Sequence, residues 1–261
     1  MDVELSPRDA EAARHVLGMV VPGQAMRVWT LTDEQILVLD DPEQPQLVTQ
    51  PWLPGRVGDP PNAEMLVLAQ EVALRGLVAR GDVETVVSDS QIAEVTARPE
   101  ITGCLVLRRL GNALLRVARA TSQDATVAYF YRQDEGPILE EVVDENGLHA
   151  FAVYEPTVWG PRLADFLDPA QGAGRGAIDE TGPASRFAEN VGDRPELSQA
   201  LAASSMTAVL RDVPTPKVAT IFSSEAGTYW LRETAVRPEE MRLTGISRAE
   251  LEALGPSLTA A

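Results

Sequence analysis

Residues 104–153 read CLVLRRLGNALLRVARATSQDATVAYFYRQDEGPILEEVVDENGLHAFAV, and the way this stretch divides into elements decides the fold. Gly111-Asn112 separates two apolar runs, Cys104–Leu110 and Ala113–Ala120. A two-residue connection containing glycine closes a tight hairpin, because glycine reaches positive φ at little cost. Beyond it come Ala125–Arg132, rich in aromatic and β-branched residues, a turn at Asp134-Glu135-Gly136, Ile138–Asp144, a turn at Glu145-Asn146-Gly147, and Leu148–Val153. Five consecutive strands joined by short turns predict an antiparallel meander. With Leu110 opposite Ala113, one face of the first hairpin carries Leu105, Leu107, Arg109, Leu114, Arg116 and Ala118; the other carries Val106, Arg108, Leu110, Leu115, Val117 and Arg119. Neither face is cleanly polar, which predicts helices over one and the rest of the chain, or a partner, over the other.

Upstream, Ser6-Pro7 followed by Asp9 is a helix start, with Gly18 as its stop. Met26–Leu39 is apolar but interrupted at Thr30–Glu34, and reads as two strands or as a strand and a short helix. Six prolines between Asp41 and Pro61 predict a long surface excursion, with at most an edge strand at Leu47–Thr49. A helix follows from Asn62 to Arg80, with Met65, Leu68, Ala69, Val72, Ala73 and Leu77 at helical spacing and Gly81 closing it. Ser88 or Ser90 then opens a shorter helix that Pro99 ends. Downstream, Thr157–Leu167 is helical, and Asp168–Gly192, rich in Gly, Ala and Pro, reads as a mobile loop or linker. Pro195 opens a helix reaching Leu210, Lys217–Ser223 and Thr228–Glu233 form a second hairpin, and a capping box at Ser247–Glu250 starts a last helix stopped by Gly255-Pro256. Helix followed by hairpin thus recurs at 62–120 and 195–234.

The chain has 261 residues, 39 acidic against 22 basic, for a net charge of -17. Both halves are acidic, so neither nucleic acid nor an anionic membrane is a natural partner. A single cysteine, Cys104, excludes an internal disulfide and a cysteine metal cluster, and points to a cytoplasmic setting. The acidic N-terminus lacks the features of a signal peptide, and no apolar run approaches the ~18–20 residues that span a bilayer.

The residue types that carry catalysis are scarce. Of two histidines, His15 sits on the first helix and reads as a surface or partly buried residue, and His149 reads as a packed or exposed strand residue. Cys104 at the head of an apolar run reads as a buried small hydrophobe with a raised pKa. Gly172-Ala173-Gly174-Arg175-Gly176 looks superficially like a phosphate loop but follows no strand, so it reads as linker. No cofactor and no metal site are expected. Arg108, Arg109, Arg116 and Arg119 form the one local basic patch, which either pairs with Glu140 and Glu141 across the sheet or binds an acidic partner.

Val3-Glu4-Leu5-Ser6 leading to a helix that ends Val16-Leu17-Gly18, a helix ending Leu74-Arg75-Gly76-Leu77-Val78, the closure at Arg98-Pro99 and the run Leu105-Val106-Leu107-Arg108 together resemble the EspG-like family. So do the strand with Gly227-Thr228-Tyr229-Trp230-Leu231 and the closing helix Leu251–Leu258. The resemblance covers residues 3–167 and 195–258. The proline-rich stretch at 41–61 departs from it as an insertion, and Thr228 stands where a basic residue belongs. The family consists of cytosolic chaperones of type VII (ESX) secretion in actinobacteria. The resemblance implies a single α+β domain over 1–261, an antiparallel meander sheet with packed helices arranged as two related halves, 1–167 and 193–261, joined by the linker 168–192. It implies a non-enzymatic chaperone that binds an exposed apolar helical tip of a PE/PPE-type secretion substrate and keeps it soluble before export. Arg108, Arg109, Arg116 and Arg119 are the candidate partner-binding residues. The other expectations are a regulatory or ligand-binding module, or a small-molecule enzyme built on carboxylates.

Overall fold

A computed structural model describes residues 5–40, 62–88, 91–122, 124–133, 136–189, 200, 202–210, 213–234 and 240–259. The fold is mixed α+β: the described residues form seven helices, a large antiparallel sheet of ten strands and a two-stranded sheet. The chain divides into two compact units, one of residues 1–111 and 131–154, the other of residues 112–130 and 155–261.

In the first unit, α1 (Pro7–Leu17) is capped by Ser6, whose hydroxyl accepts from the Asp9 N–H. The ambiguous segment resolves as β1 (Met26–Thr32) and α2 (Asp33–Leu39), joined by a capping box between Thr32 and Gln35. Residues 41–61, including the expected edge strand at 47–49, lie outside the described residues. Helix α3 (Ala63–Arg80) ends at Gly81, whose φ of 72° is the left-handed conformation that glycine adopts freely. The expected short helix after Ser88 is instead a hairpin, β2 (Val83–Ser88) and β3 (Gln91–Ala97), rich in β-branched residues. Pro99 starts a helix rather than ending one: α4 (Pro99–Leu110) carries it in the first turn, where no backbone donor is needed.

This α4 corrects the reading of Cys104–Leu110 as a strand. Ile101 and every residue from Gly103 to Arg108 are buried, so the helix is enclosed on nearly all sides. A continuous apolar run is what both a buried strand and a wholly buried helix look like in sequence. The facing pairs drawn for a 104–120 hairpin therefore do not exist. Helix α4 crosses α1 at Gly103, where an added Cβ would meet the Ala12 carbonyl oxygen and lie 2.5 Å from a Val16 methyl carbon. Strands β6 (Ile138–Val143) and β7 (Leu148–Tyr154) flank the expected turn at Gly147, and β7 pairs on its other edge with β1.

The second unit contains β4 (Ala113–Thr121), the first part of β5 (Ala125–Arg132), and α5 (Pro156–Leu167). Residues 168–192, expected as a linker, carry β8 (Asp179–Pro183), which pairs with residues 240–244, and α6 (Ala184–Glu189). The expected helix up to Leu210 is, over its described part, the strand β9 (Ala202–Leu210), held between β4 and the strand that follows it. Its Ala202, Ser204, Met206 and Ala208 are buried in strict alternation, so pairing on both edges overrides the helix-forming alanines. Strands β10 (Val213–Ser224), β11 (Gly227–Glu233) and β12 (Glu240–Gly245) continue the ladder. Residues 190–199, where the expected helix begins, lie outside the described residues. Helix α7 (Arg248–Leu258) starts at the Ser247–Glu250 capping box and runs through Gly255-Pro256, past its expected stop. It packs on α5, and Trp159, Leu163, Leu251 and Leu254 are buried.

Candidate functional site

The strongest concentration of polar chemistry lies in the first unit and is largely buried, with Arg109 its partly exposed member. Helix α2 carries Asp33 in its first turn and Asp40 at its C-terminal end; α4 brings Arg108 and Arg109, β6 brings Glu141, and β7 brings His149. Arg108 donates to Glu141 at 3.0 Å and to Asp40 at 3.1 Å, while Arg109 reaches Asp40 at 2.8 Å. Tyr131 donates its hydroxyl to Glu141 at 2.7 Å. His149 Nδ1 lies 2.6 Å from Glu141 and its Nε2 lies 2.8 Å from Asp33. Only an imidazolium donates to carboxylates at both ends. Three carboxylates, Asp33, Asp40 and Glu141, therefore face three cations, Arg108, Arg109 and His149.

The electrostatics follow from this pairing. Burial works against a charged His149, but hydrogen bonds to Asp33 and Glu141 outweigh it and raise its pKa. Burial likewise opposes ionised Glu141, yet the Arg108 guanidinium and the His149 hydrogen bond bring its pKa down to about 2. Tyr131 is pushed well up by burial and by the Glu141 charge. Cys104, wholly buried on α4, is pushed up by burial, so its thiol stays protonated. Since both ring nitrogens of His149 donate and none of the ring is exposed, it offers no base to a substrate. The other histidine, His15, bridges α1 to α4 through Glu100 at 3.0 Å.

The four sequence-predicted arginines divide between the two units. Arg108 pairs with Glu141 and Arg109 with Asp40, from a helix onto a strand and a helix end rather than across a sheet. Glu140 takes the Tyr154 hydroxyl at 2.7 Å. Arg116 and Arg119 sit on β4, half-buried and three residues apart, which puts them on opposite faces of the strand. Arg119 donates to the Phe166 carbonyl and stacks 4.3 Å from the Phe166 ring centroid.

In the second unit, the glycine-rich segment is anchored by an anion of its own. Asp168 accepts from the N–H groups of Gly172 and Ala173 and from the hydroxyls of Ser223 and Thr228. Burial opposes its charge, and these four donors hold its pKa below the usual carboxylate value. The donors that a phosphate loop offers to a ligand are thus engaged by a side chain. Thr228, which stands where the resemblance leads one to expect a basic residue, is one of them.

Two features of the first unit face outward. A cavity of about 470 Å³ is lined by Arg8, Asp9, Leu37, Asp40, Val95 and Arg109, among others. Helix α3 is the other: of the six apolar residues expected to form its core face only Leu77 is buried, while Met65, Leu68 and Val72 are 56–62% exposed. Among the described residues, no helix is long and apolar enough to cross a membrane, and no group of three His, Cys, Asp or Glu is placed to hold a metal ion.

The class that these elements define is a mixed α+β protein built on one broad antiparallel sheet, with charge buried beneath its helices. No protein-family model matches the sequence, and no curated protein matches it. Among solved structures it is similar to the Mycobacterium tuberculosis type VII secretion system chaperone EspG5, determined in complex with the PE25-PPE41 dimer. The TM-score is 0.53 at 13% identity, over 90% of this chain and 95% of that one. The likeness is one of fold.

Proposed function

We propose that this protein is a non-catalytic cytoplasmic chaperone or adaptor of type VII secretion. It binds helical substrates of the PE/PPE type and keeps them soluble for export. The observation that carries the reading is the fold likeness to a chaperone solved with a PE-PPE dimer, extending over nearly the whole of both chains. Three properties of the chain support it. Its net charge of -17 keeps a complex with an apolar client in solution. His149 is held between Asp33 and Glu141, and His15 contacts Glu100. Helix α3 leaves large apolar side chains uncovered. Arg108, Arg109 and Arg119 have internal partners, so a client contact at the four arginines draws on Arg116.

Co-expression with small helical secretion substrates encoded beside it, followed by affinity purification and size-exclusion chromatography, tests the proposal. A stable complex of 1:1 or 1:1:1 composition is the expected result. The cavity favours a second reading, a ligand-binding module. Failure to retain any such substrate, together with micromolar binding of a metabolite that fills the cavity, would establish that reading instead.

A further inference from the structure

Asp33, His149, Glu141, Arg108, Asp40 and Arg109 form one chain of alternating charge, each link between 2.6 and 3.1 Å. The chain leaves α2 at Asp33, in its first turn, and returns to it at Asp40, just past its last turn. Of these six groups, only His149 carries a charge that is a removable proton near neutral pH.

Whichever ring nitrogen loses its proton then turns a lone pair toward a carboxylate, Glu141 at 2.6 Å from Nδ1 or Asp33 at 2.8 Å from Nε2. Asp33 meets the ring from α2 and Glu141 meets it from β6; Arg108 of α4 and Tyr131 of β5 both bond Glu141. Strand β1 sets Leu31 opposite His149, and Asp144, in the turn before β7, accepts from the N–H groups of Asn146 and Leu148. The two carboxylates are not held alike. Glu141 keeps Arg108 and Tyr131 and lies on a strand paired along both edges, whereas Asp33 begins a seven-residue helix beside the edge strand β1. A buried carboxylate that loses its cation is driven toward water, and the shorter, peripheral element yields first.

We propose that His149 is a proton-operated clasp on α2: with both ring protons in place it holds the first turn of the helix down, and loss of one proton lets α2 open locally while β6 and β7 stay paired. Helix α3, whose Leu66, Ala69, Ala73 and Leu77 are half-buried or buried, packs on α2 and shares in the opening. The raised pKa of His149 gives the sign: the clasp is closed below the ordinary value of 6.5 and is released as pH rises through the raised value. This device stands apart from the chaperone reading and does not depend on it.

Amide exchange of the full chain, followed by NMR from about pH 6 to about pH 9 and corrected for intrinsic exchange rates, tests the clasp. In the parent, protection of residues 35–40 falls by up to about tenfold per pH unit between the ordinary and the raised pKa and then levels off. At every pH it lies below the protection of β6 and β7. Asp33→Asn removes the dependence: the new side-chain amide donates to the bare Nε2 of a neutral ring, the remaining carboxylates Glu141 and Asp40 balance Arg108 and Arg109, and α2 stays protected at alkaline pH. Protection of α2 that is flat with pH in the parent overturns the clasp. So does α2 exchanging at the same protection as β6 and β7 throughout, which is unfolding of the whole rather than local opening. A loss in Asp33→Asn as steep as the parent's overturns it too. If Asp33→Asn does not fold, the parent profile decides alone.

Discussion

His149 shows how much a single side chain depends on its surroundings. In sequence it is a histidine in an apolar strand; in the structure it is a cation between Asp33, 116 positions away, and Glu141. Its raised pKa means that it stabilises the fold fully below its ordinary value of 6.5, and that this contribution is lost as pH rises through the raised value. Glu141 behaves oppositely: its contribution is present above 4.5 and is lost as pH falls from there toward about 2. Stability from this cluster is therefore greatest between those two ordinary values. Urea unfolding as a function of pH is expected to show both limbs, and His149→Gln to abolish the alkaline one. The substitution leaves two buried carboxylates without their shared cation, at a cost of about 3–5 kcal/mol. Asp168→Asn is expected to lower the urea midpoint, because the replacement amide accepts fewer of the four hydrogen bonds that hold residues 172 and 173 to β10 and β11. The pairing of arginine with Glu141 is legible from charge alone, whereas Asp33 and Asp40 carry no local signal of their role. Their partners are set by where α2 lands, which sequence spacing does not report.

At the scale of elements, caps and turns are the legible part. Ser6, Asn62, Gly81 and the Ser247–Glu250 box mark helix ends that the structure reproduces, because a cap is decided within a few residues. The readings that fail depend on tertiary context. Helix α4 reads as a strand because burial on all sides erases helical periodicity, and β9 reads as a helix because alanine favours one. The alternation of buried residues in β9 is present in the sequence but outweighed. Helix α3 is legible as a helix, yet its apolar residues read as one core face when they serve two. The α1–α4 crossing gives an element-scale prediction. Gly103→Ala introduces a Cβ into the Ala12 and Val16 contacts, with an expected loss of about 1–3 kcal/mol and a fall in thermal midpoint read by calorimetry. An unchanged midpoint would show that the helices separate easily.

For the whole molecule, the α+β class and the antiparallel sheet are legible from the density of short strands and turns. The strand order is not, since β1 joins β7 and β4 joins β9 across long stretches of chain. The acidic composition disfavours nucleic acid and anionic membranes as partners. The central claim is that the chain keeps an apolar helical client in solution. Light scattering of such a client, diluted from denaturant with and without an equimolar amount of this protein, tests it most directly. Scattering is expected to be suppressed at a 1:1 ratio and to return when Leu68→Asp/Val72→Asp replaces the parent. Undiminished aggregation in the presence of the parent protein contradicts it.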